Sequence, residues 1–187
     1  MKFCSHCGSP VEHRVPAGDS LPRHVCPGCG AVHYSNPRMV VGCVPEAGER
    51  ILLCRRAIEP RRGFWTVPAG FMENNETLAE AAARETREEA LATVEIADLF
   101  AVVDVVHARQ VHVMFRATLL GEEFGAGEES LEVDLFEPAR IPWGEIAFPS
   151  VRFALERFLA DREAGVRRLH TIALSRPGRA PGTSPGG

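Results

Sequence analysis

The sequence predicts an α/β or α+β domain that follows a small metal-binding module. Three observations lead to this organisation. Two pairs of cysteines lie within residues 1–36, a segment rich in Cys, His, Gly and Pro that has almost no periodic apolar pattern. Residues 37–161 alternate β-branched runs with one strongly helical run. Residues 162–187 are basic and end in a Pro/Gly/Ser-rich tail, which we expect to be disordered at its end.

The composition is that of an ordinary globular protein. The 187 residues carry a net charge of −4, and 45% are hydrophobic and 25% charged, which excludes a predominantly disordered chain. Asp104 and His107 interrupt the apolar residues around 99–106, so no run approaches the roughly 20 residues that a membrane helix needs. The N-terminus lacks the apolar region of a secretory signal, and we therefore expect a cytoplasmic protein with reduced cysteines. The mild acidity argues against a protein that wraps around nucleic acid.

The middle segment begins with two predicted strands. Residues 39–44 and 50–55 are apolar runs separated by Pro-Glu-Ala-Gly, which predicts a hairpin. Cys43 and Cys54 lie inside these runs, where a thiol usually behaves as a small buried hydrophobe, so we assign them no chemistry. Residues 111–119 carry apolar side chains at every odd position, and His112, Arg116 and Thr118 fall between them. This period predicts a half-buried strand of the main sheet.

Two helices are predicted in the same segment. The first, over about residues 78–90, is rich in Ala, Glu, Leu and Arg, and Thr77 with Glu80 forms a capping-box signature at its start. The second is indicated by apolar side chains that recur at helical spacing over residues 151–159, after Ser150 as a candidate N-cap. We expect the second helix to pack on the sheet.

The cysteines near the N-terminus form two C-x2-C pairs separated by 18 residues, at Cys4, Cys7, Cys26 and Cys29. This spacing is typical of a four-thiolate zinc site, and a glycine after each pair allows the tight turn that directs two sulfurs to one point. Zinc binding contributes on the order of 10 kcal/mol, which could fold a segment with no core of its own. A disulfide pair or four unrelated buried thiols are the alternatives. Four thiolates fill the tetrahedron, so we expect His6, His24 and His33 to be surface residues.

The first helix combines apolar and acidic residues on one face. At 100° per residue, Glu85 and Glu89 fall on the apolar stripe and Glu88 lies at its edge. Ionised carboxylates that face a core cost several kcal/mol unless a cation compensates them. Arg84 and Arg87 could supply part of this charge, but they project from other faces of the helix. A hard divalent metal, Mg²⁺ or Mn²⁺, therefore suits the three carboxylates better. The alternative is a solvated Ala-rich helix with ordinary surface ion pairs.

The helix and the loop before it resemble the Nudix hydrolases, whose box reads G-x5-E-x7-R-E-U-x-E-E-x-G-U with U a bulky apolar residue. Six positions match in register: Gly70, Glu76, Arg84, Glu85, Glu88 and Glu89. Three positions depart from the box, because Leu91 stands at the glycine, and Thr86 and Ala92 replace bulky apolar residues. These departures concern how the helix ends and packs rather than the ligand set.

The resemblance covers about residues 3–161 and extends to Nudix enzymes that carry a zinc ribbon. The matching segments outside the box lie at residues 33–37, 55–56, 60–66, 127–130 and 142–143. The subgroup resembles the Nudix hydrolases of plant chloroplasts that act on FAD and ADP-ribose. NADH pyrophosphatases also carry a zinc ribbon, but the Ser-Gln-Pro-Trp-Pro-Phe-Pro-x-Ser array after their box is missing here. NADH therefore ranks lower as a substrate.

This resemblance implies an α/β/α sandwich with a mixed sheet. It divides the chain into a zinc ribbon at 1–36, a Nudix domain at 37–161 and a tail at 162–187. The implied activity is divalent-metal-dependent hydrolysis of the diphosphate bond in a nucleoside diphosphate linked to another group. ADP-ribose and FAD are the leading substrates, and the products are AMP and a phosphorylated remainder.

The resemblance also implies roles for individual residues. Mg²⁺ or Mn²⁺ is bound by Glu85, Glu88, Glu89 and the carbonyl of Gly70, and Glu88 and Glu89 are counted as catalytic. An ion pair between the box residues Glu76 and Arg84 holds the loop to the helix. Arg84 is also a candidate substrate contact, although its role is more that of a scaffold.

The general base and the base-recognition residues are less closely defined. Nudix enzymes take the base either from within the box or from a later loop, and the candidates here are Glu129 and Glu132. The alternative for that loop is a solvated acidic turn. Phe64 and Trp65, with Tyr34, are candidates for stacking on a nucleobase, although aromatic side chains more often serve packing.

The sequence is compatible with two functions. The first is a Nudix enzyme that acts on a small-molecule nucleotide. The second is a nucleotide-sensing or nucleic-acid-binding protein in which the ribbon carries the function and the box has lost turnover. Residues 1–38 contain four basic and two acidic residues, a net of +2, which is a weak footprint for nucleic acid. The intact acidic set favours the enzyme, and the resemblance also allows a homodimer.

Overall fold

The computed structural model describes residues 1–175. They fall into two compact units, Met1–Pro37 and the chain from Arg38 onward, and each unit has its own β-sheet. The disorder expected at the extreme C-terminus concerns residues outside the described range. Within residues 1–175, no helix combines the length and the apolar character needed to span a lipid bilayer.

The N-terminal unit is a small antiparallel sheet of three short strands. These strands are β1 (Glu12–Arg14), β2 (Arg23–Val25) and β3 (Val32–His33), paired in the order β1-β2-β3. Its buried apolar side chains include Val25 and two cysteines, Cys4 and Cys26. So small an apolar core cannot hold a fold by burial alone, in agreement with the sequence expectation that another interaction stabilises this unit.

The second unit is a mixed sheet of eight strands with two helices. The strands are β4 (Arg38–Ala47), β5 (Arg50–Arg56), β6 (Trp65–Thr66), β7 (Ala69–Phe71), β8 (Thr93–Val105), β9 (Gln110–Leu120), β10 (Ser130–Phe136) and β11 (His170–Leu174). The helices are α1 (Leu78–Ala90) and α2 (Pro149–Glu163). The main strand order is β10-β5-β4-β9-β8-β11, while β6 pairs with β5 and β7 with β4. The β4–β9 and β8–β11 pairs are parallel.

The two helices cover opposite faces of this sheet. Successive side chains of a strand point to opposite faces, and strand β5 shows the division clearly. Ile51 and Leu53 pack in the same cluster as Leu155 of α2. Leu52, between them, packs in a cluster with Ala90 of α1. The α/β/α sandwich with a mixed sheet is therefore confirmed.

The predicted hairpin is present, with its turn later in the chain than expected. Strand β4 continues to Ala47, and the turn is formed by Gly48 and Glu49. Gly48 has a φ of 62°, a left-handed conformation that glycine adopts without steric cost. The strand predicted at residues 111–119 is also present as β9, but the expectation that it is half-buried was wrong. It lies between β4 and β8, and most of its side chains on both faces are buried.

The second helix differs from the prediction at its start. Its N-cap is Phe148 and Pro149 occupies the first helical position, so Ser150 is a buried residue inside the helix rather than the N-cap. Proline suits this position because its φ is already helical and its missing N–H would have no intrahelical partner.

The chain after residue 161 is not simply a tail. Helix α2 extends to Glu163, and β11 then pairs with β8 at the edge of the sheet. Asp161 of α2 accepts hydrogen bonds from buried Arg116 of β9 and from His170 of β11. Asp98 of β8 pairs with Arg116 at 3.2 Å and with Arg167 at 2.6 Å. These contacts join the C-terminal strand to the second helix and the sheet.

Candidate active site and metal centres

The two cysteine pairs of the N-terminal unit form equivalent turns. The amide of Gly8 donates to the carbonyl of Cys4 at 2.9 Å, and the amide of Gly30 donates to the carbonyl of Cys26 at 2.9 Å. The two glycines have φ values of 76° and 75°, a region that residues with a Cβ avoid. The glycines therefore have the role that the sequence predicted, because each turn brings two thiols to one side.

The four sulfurs fit a structural zinc ion. The Sγ atoms of Cys4, Cys7, Cys26 and Cys29 lie within 4.8 Å of one another. The Cys4–Cys29 and Cys7–Cys26 Sγ separations are 3.7 Å and 3.5 Å. Sulfurs about 2.3 Å from a tetrahedral zinc are about 3.8 Å apart, whereas a disulfide needs about 2.05 Å. Among residues 1–175, this is the one group of three or more His, Cys, Asp or Glu residues whose ligand atoms converge this closely.

The histidines near this site are not all surface residues, contrary to the sequence expectation. His24 and His33 are half-buried. The Nε2 atom of His33 lies 3.3 Å from the Sγ atom of Cys4, and its ring centroid lies 5.4 Å from that of exposed His6. An N–H group at this distance stabilises a thiolate ligand from outside the coordination shell. The short β-strand that carries His33 gave no sequence signal for this contact.

In the second unit, helix α1 has the predicted bounds and the predicted cap. The Thr77 hydroxyl accepts from the amide of Glu80 at 3.2 Å, and the Glu80 carboxylate accepts from the amide of Thr77 at 2.7 Å. At the other end, Leu91 occupies the box glycine position with φ 49° and ψ 27°. The helix thus ends in a left-handed residue, as glycine would allow, although the residue has a Cβ. Thr86 fits its buried site because its hydroxyl donates to the Ala82 carbonyl at 2.8 Å.

The helix buries two of its three candidate metal-binding carboxylates. Glu85 and Glu89 are 8% and 6% exposed, whereas the Glu88 side chain is 59% exposed. Burial raises the pKa of Glu89 to about 8, although a hydrogen bond from the amide of Ala69 at 3.2 Å opposes that shift. Burial also raises the pKa of Glu85, against the effect of Arg84. Both carboxylates therefore lie where an ionised form needs a nearby cation.

Gly70 lies directly against one of these carboxylates. A Cβ atom at this position would overlap both carboxylate oxygens of Glu85. A larger residue at position 70 would therefore force the Glu85 carboxylate out of its present position. The donor set here, a backbone carbonyl beside glutamate oxygens, suits a hard divalent cation such as Mg²⁺ or Mn²⁺.

The guanidinium of Arg84 connects the loop to the acidic face of the helix, which consists of Glu85, Glu88 and Glu89. It contacts both oxygens of Glu76 at 2.8 and 3.0 Å, so the ion pair implied by the resemblance is present. Its Nη1 atom also donates to Glu85 at 2.8 Å and to Glu88 at 2.9 Å. The helical projection places Arg84 on another face of the helix, four residues from Glu88, and its long side chain nevertheless reaches both carboxylates. These hydrogen bonds hold the pKa of Glu76 down to about 2.

The structure distinguishes the two candidates for the general base. Burial is the main cause of the raised pKa values of Glu85 and Glu89, and the charge of Glu129 adds to both shifts. Glu132 instead forms an exposed ion pair with Arg55 at 3.3 Å and is aligned with Arg55 in the β10–β5 pair. Glu129 follows Gly127 by two residues, and the amide of Gly127 donates to the carbonyl of Glu89 in the last turn of α1 at 3.0 Å.

The aromatic candidates have different environments. Trp65 is 7% exposed and its ring packs edge-on against Phe136 at 4.8 Å, so it serves the core rather than a stacking surface. Phe64 is half-buried, with the guanidinium of Arg61 at 5.1 Å from its ring. Tyr34 is exposed and belongs to the N-terminal unit.

Arg56 is a site residue to which the sequence analysis assigned no role. Burial raises the pKa of Glu89, and the charge of Arg56 opposes that shift; the Arg56 guanidinium lies 5.1 Å from the ring of Phe148. Arg56 is thus a cation next to a half-buried aromatic ring, and its Nε atom donates to the carbonyl of Pro60 at 2.9 Å. The signal in the sequence was the pair of adjacent arginines at the end of an apolar strand.

Comparison with protein families gives one match in each unit. The family model described as "Nudix N-terminal", a zinc ribbon, matches residues 2–35. The model described as "NUDIX domain" matches residues 36–158. The first unit is thus a zinc ribbon.

Individual proteins are also similar. The crystal structure of a NUDIX hydrolase from Nitrosomonas europaea is 53% identical, covers 93% of this chain and 99% of that chain, and superposes with a TM-score of 0.91. The NAD-capped RNA hydrolase NudC of Chromobacterium violaceum is 41% identical over 91 residues, 47% of this chain and 31% of that protein. The ADP-ribose pyrophosphatase of Methanocaldococcus jannaschii is 28% identical over 113 residues, 58% of this chain and 67% of that protein. The chain thus spans about a third of the first of these curated relatives and two thirds of the second.

Proposed function

The chain belongs to the Nudix hydrolase family, and on this premise we propose that it hydrolyses the diphosphate bond of a nucleoside diphosphate linked to another group. The leading substrates are ADP-ribose and FAD, with AMP and a phosphorylated remainder as products. The observation that carries the proposal is the pair of buried carboxylates, Glu85 and Glu89, packed against the loop at Gly70. Carboxylates cost free energy at such a position, and the cost is explained by a role in binding cations.

The acidic face would hold the catalytic metal. Glu85, Glu88, Glu89 and the carbonyl of Gly70 are the proposed ligands of Mg²⁺ or Mn²⁺. When bound, a divalent cation neutralises phosphoryl oxygens and lowers the pKa of an attacking water. Glu76 and Arg84 keep the loop against the helix through their ion pair, so that the carbonyl and the carboxylates stay on the same side.

Glu129 is the proposed general base. A carboxylate near the acidic face can accept the proton of the attacking water, a contribution worth roughly 10²–10⁴-fold in rate. Its exposure allows it to reach water, and it lies in the segment before β10 rather than on α1, which leaves the three box glutamates to the metal. Glu132 is a weaker candidate because Arg55 already pairs with it.

Arg56 completes the proposed site. Its positive charge beside Glu89 and its stacking on Phe148 suit the recognition of a diphosphate next to a nucleobase. Phe64 is the remaining aromatic candidate for the base. Trp65 is not proposed as a contact, because its ring is in the core.

The choice of substrate rests on similarity and on chemistry. An ADP-ribose pyrophosphatase is among the similar proteins, which supports ADP-ribose. NAD-capped RNA is a second candidate, because several relatives carry the name NAD-capped RNA hydrolase. ADP-ribose and NAD-capped RNA both contain an adenosine diphosphate. A cation bound at the acidic face, together with a nearby arginine, would recognise this part of either substrate. A homodimer also remains a proposal, and light scattering on the purified protein would test it.

The test is a metal-supplemented screen of the purified full chain. ADP-ribose, FAD, NAD, NADH and NAD-capped RNA are incubated with Mg²⁺ or Mn²⁺, and AMP or 5′-phosphate release is measured. We expect turnover that requires added metal and falls at least about 100-fold in Glu88→Gln and Glu89→Gln. Glu80→Gln is the matched control on the same helix, since glutamine retains the capping box. No product with any substrate would contradict the proposal and favour a binding protein.

A further inference from the structure

The segment between β9 and β10, residues 121–129, forms hydrogen bonds to the C-terminal end of helix α1. The amide of Gly125 donates to the carbonyl of Ala90 at 2.8 Å, and the amide of Gly127 donates to the carbonyl of Glu89 at 3.0 Å. Carbonyls in the last turn of a helix have no intrahelical partner, so these bonds satisfy groups that would otherwise face solvent. The segment is thereby fixed to the same turn of the helix that carries the acidic face.

Gly127 approaches the helix more closely than any side chain would allow. A Cβ atom at this position would overlap the backbone carbonyl oxygen of Glu88. The obstacle is helix backbone, which cannot rotate away as a flexible side chain can. A Cβ on Gly125, two residues earlier, would meet only the Cδ1 atom of Leu91 at 3.8 Å, an ordinary contact.

The next residues lead from this contact directly to Glu129. The amide of Ser130 donates to the carbonyl of Gly127 at 3.1 Å, which closes a turn around residues 127–130. The carbonyl of Glu129 accepts from the amide of Ala57 at 2.8 Å. The backbone of Glu129 is therefore anchored on one side to helix α1 through Gly127 and on the other to the end of β5 through Ala57.

We propose that Gly127 is a positioning residue that acts through Glu129. The missing side chain at 127 lets the loop pack on the last turn of α1, and this packing holds the Glu129 carboxylate beside the acidic face. The inference rests on the proposed function, in which Glu129 is the general base. It assigns the glycine a role in the rate of the reaction rather than in binding the substrate.

A double-mutant cycle tests this coupling. The activities of Gly127→Ala, Glu129→Gln and the double variant are compared with that of the unmodified chain, with saturating Mg²⁺ and the best substrate of the screen. We expect Glu129→Gln to lower kcat at least about 100-fold. We expect Gly127→Ala to lower kcat about 10- to 100-fold with KM changed less than about threefold, because a misplaced base affects the chemical step. In the Glu129→Gln background, Gly127→Ala should then cost less than about threefold.

Two further variants separate positioning from general damage. Gly125→Ala makes the same chemical change in the same loop without the overlap, and we expect its kcat to stay within about twofold. Ala57→Pro removes the N–H that donates to the Glu129 carbonyl and leaves residue 127 unchanged, and its KM is measured beside kcat because a proline also restricts the preceding Arg56. We expect it to lower kcat by a similar factor to Gly127→Ala, and again only in the presence of Glu129. If Gly127→Ala does not fold, as judged by its tryptophan fluorescence, the Ala57→Pro cycle gives the answer.

The outcomes distinguish the inference from the function on which it rests. An inactive unmodified chain, or a Glu129→Gln variant with full activity, contradicts the proposed function or the role of Glu129. An active chain with a sensitive Glu129 but additive effects of Gly127→Ala overturns the positioning role alone. An increase in KM at constant kcat overturns it as well, because it would assign the loop to substrate binding.

Discussion

Replacing Glu89 with glutamine should stabilise the second unit while it removes activity. Glu89 is 6% exposed, and burial raises its pKa from 4.5 to about 8. Its protonated form is therefore favoured by folding, so this stabilising effect is complete below pH 4.5 and is lost as the pH rises to about 8. Each pH unit above the ordinary value costs about 1.4 kcal/mol, which amounts to about 3 kcal/mol at pH 7 without metal. Glutamine carries no charge and can still accept from the amide of Ala69.

The measurement is urea unfolding followed by tryptophan fluorescence in buffer without added divalent cations. Both tryptophans, Trp65 and Trp143, belong to the second unit, so the signal reports that unit alone. We expect Glu89→Gln to raise the free energy of unfolding by about 3 kcal/mol at pH 7 and by less than about 0.5 kcal/mol at pH 4.5. Glu88→Gln is the control, because its exposed side chain should change stability by less than about 0.5 kcal/mol. A Glu89→Gln variant that is no more stable at pH 7, or equally stabilised at both pH values, would refute the electrostatic reasoning.

Three other substitutions test the remaining parts of the structure. Arg84→Met should lower the free energy of unfolding by about 2 kcal/mol, because three carboxylates lose their shared partner, and an unchanged urea midpoint would contradict this. Asp161→Ala should cost about 3–5 kcal/mol in the same assay, since it leaves the buried guanidinium of Arg116 without its main partner. Cys26→Ser should reduce the zinc content from one ion per chain to less than about 0.1, measured by elemental analysis. Cys54→Ser should retain the zinc, and a zinc content equal in both variants would argue against the four-thiolate site.

The sequence predicted the local features of the site because their signals are short-range. The capping box at Thr77, the bounds of α1 and the burial of Glu85 and Glu89 follow from helical periodicity over a few turns. The cysteine spacing likewise defined a zinc site whose turns depend only on adjacent glycines. The helix and each cysteine turn involve residues that are close in sequence, so a residue pattern carries their geometry.

The features that sequence analysis missed depend on contacts between distant segments. Strand β9 was expected to be half-buried, but its neighbours in the sheet are contributed from residues far along the chain. The contact of Arg84 with Glu85 depends on the conformation of a long, flexible side chain. A helical projection gives only the direction in which a side chain leaves the helix, so it did not predict this contact. Trp65 and the contact of His33 with Cys4 likewise depend on tertiary packing. The pairing of Glu132 with Arg55 depends on the register between β10 and β5, and an irregularity between Ser130 and Glu132 shifts that register. The sequence alone did not indicate this register.

The placement of β11 has a practical consequence for shortened forms of the protein. This strand covers the backbone of β8 from Ala101 to Val105 through parallel pairing. A chain cut before His170 would retain every proposed ligand and the general base, yet it would present an unprotected row of amides and carbonyls along a strand with buried valines. Such an edge readily recruits a strand from another molecule. Precipitation of a shortened protein would therefore indicate that the edge of the sheet is uncovered. It would not show that the proposed site on helix α1 is damaged.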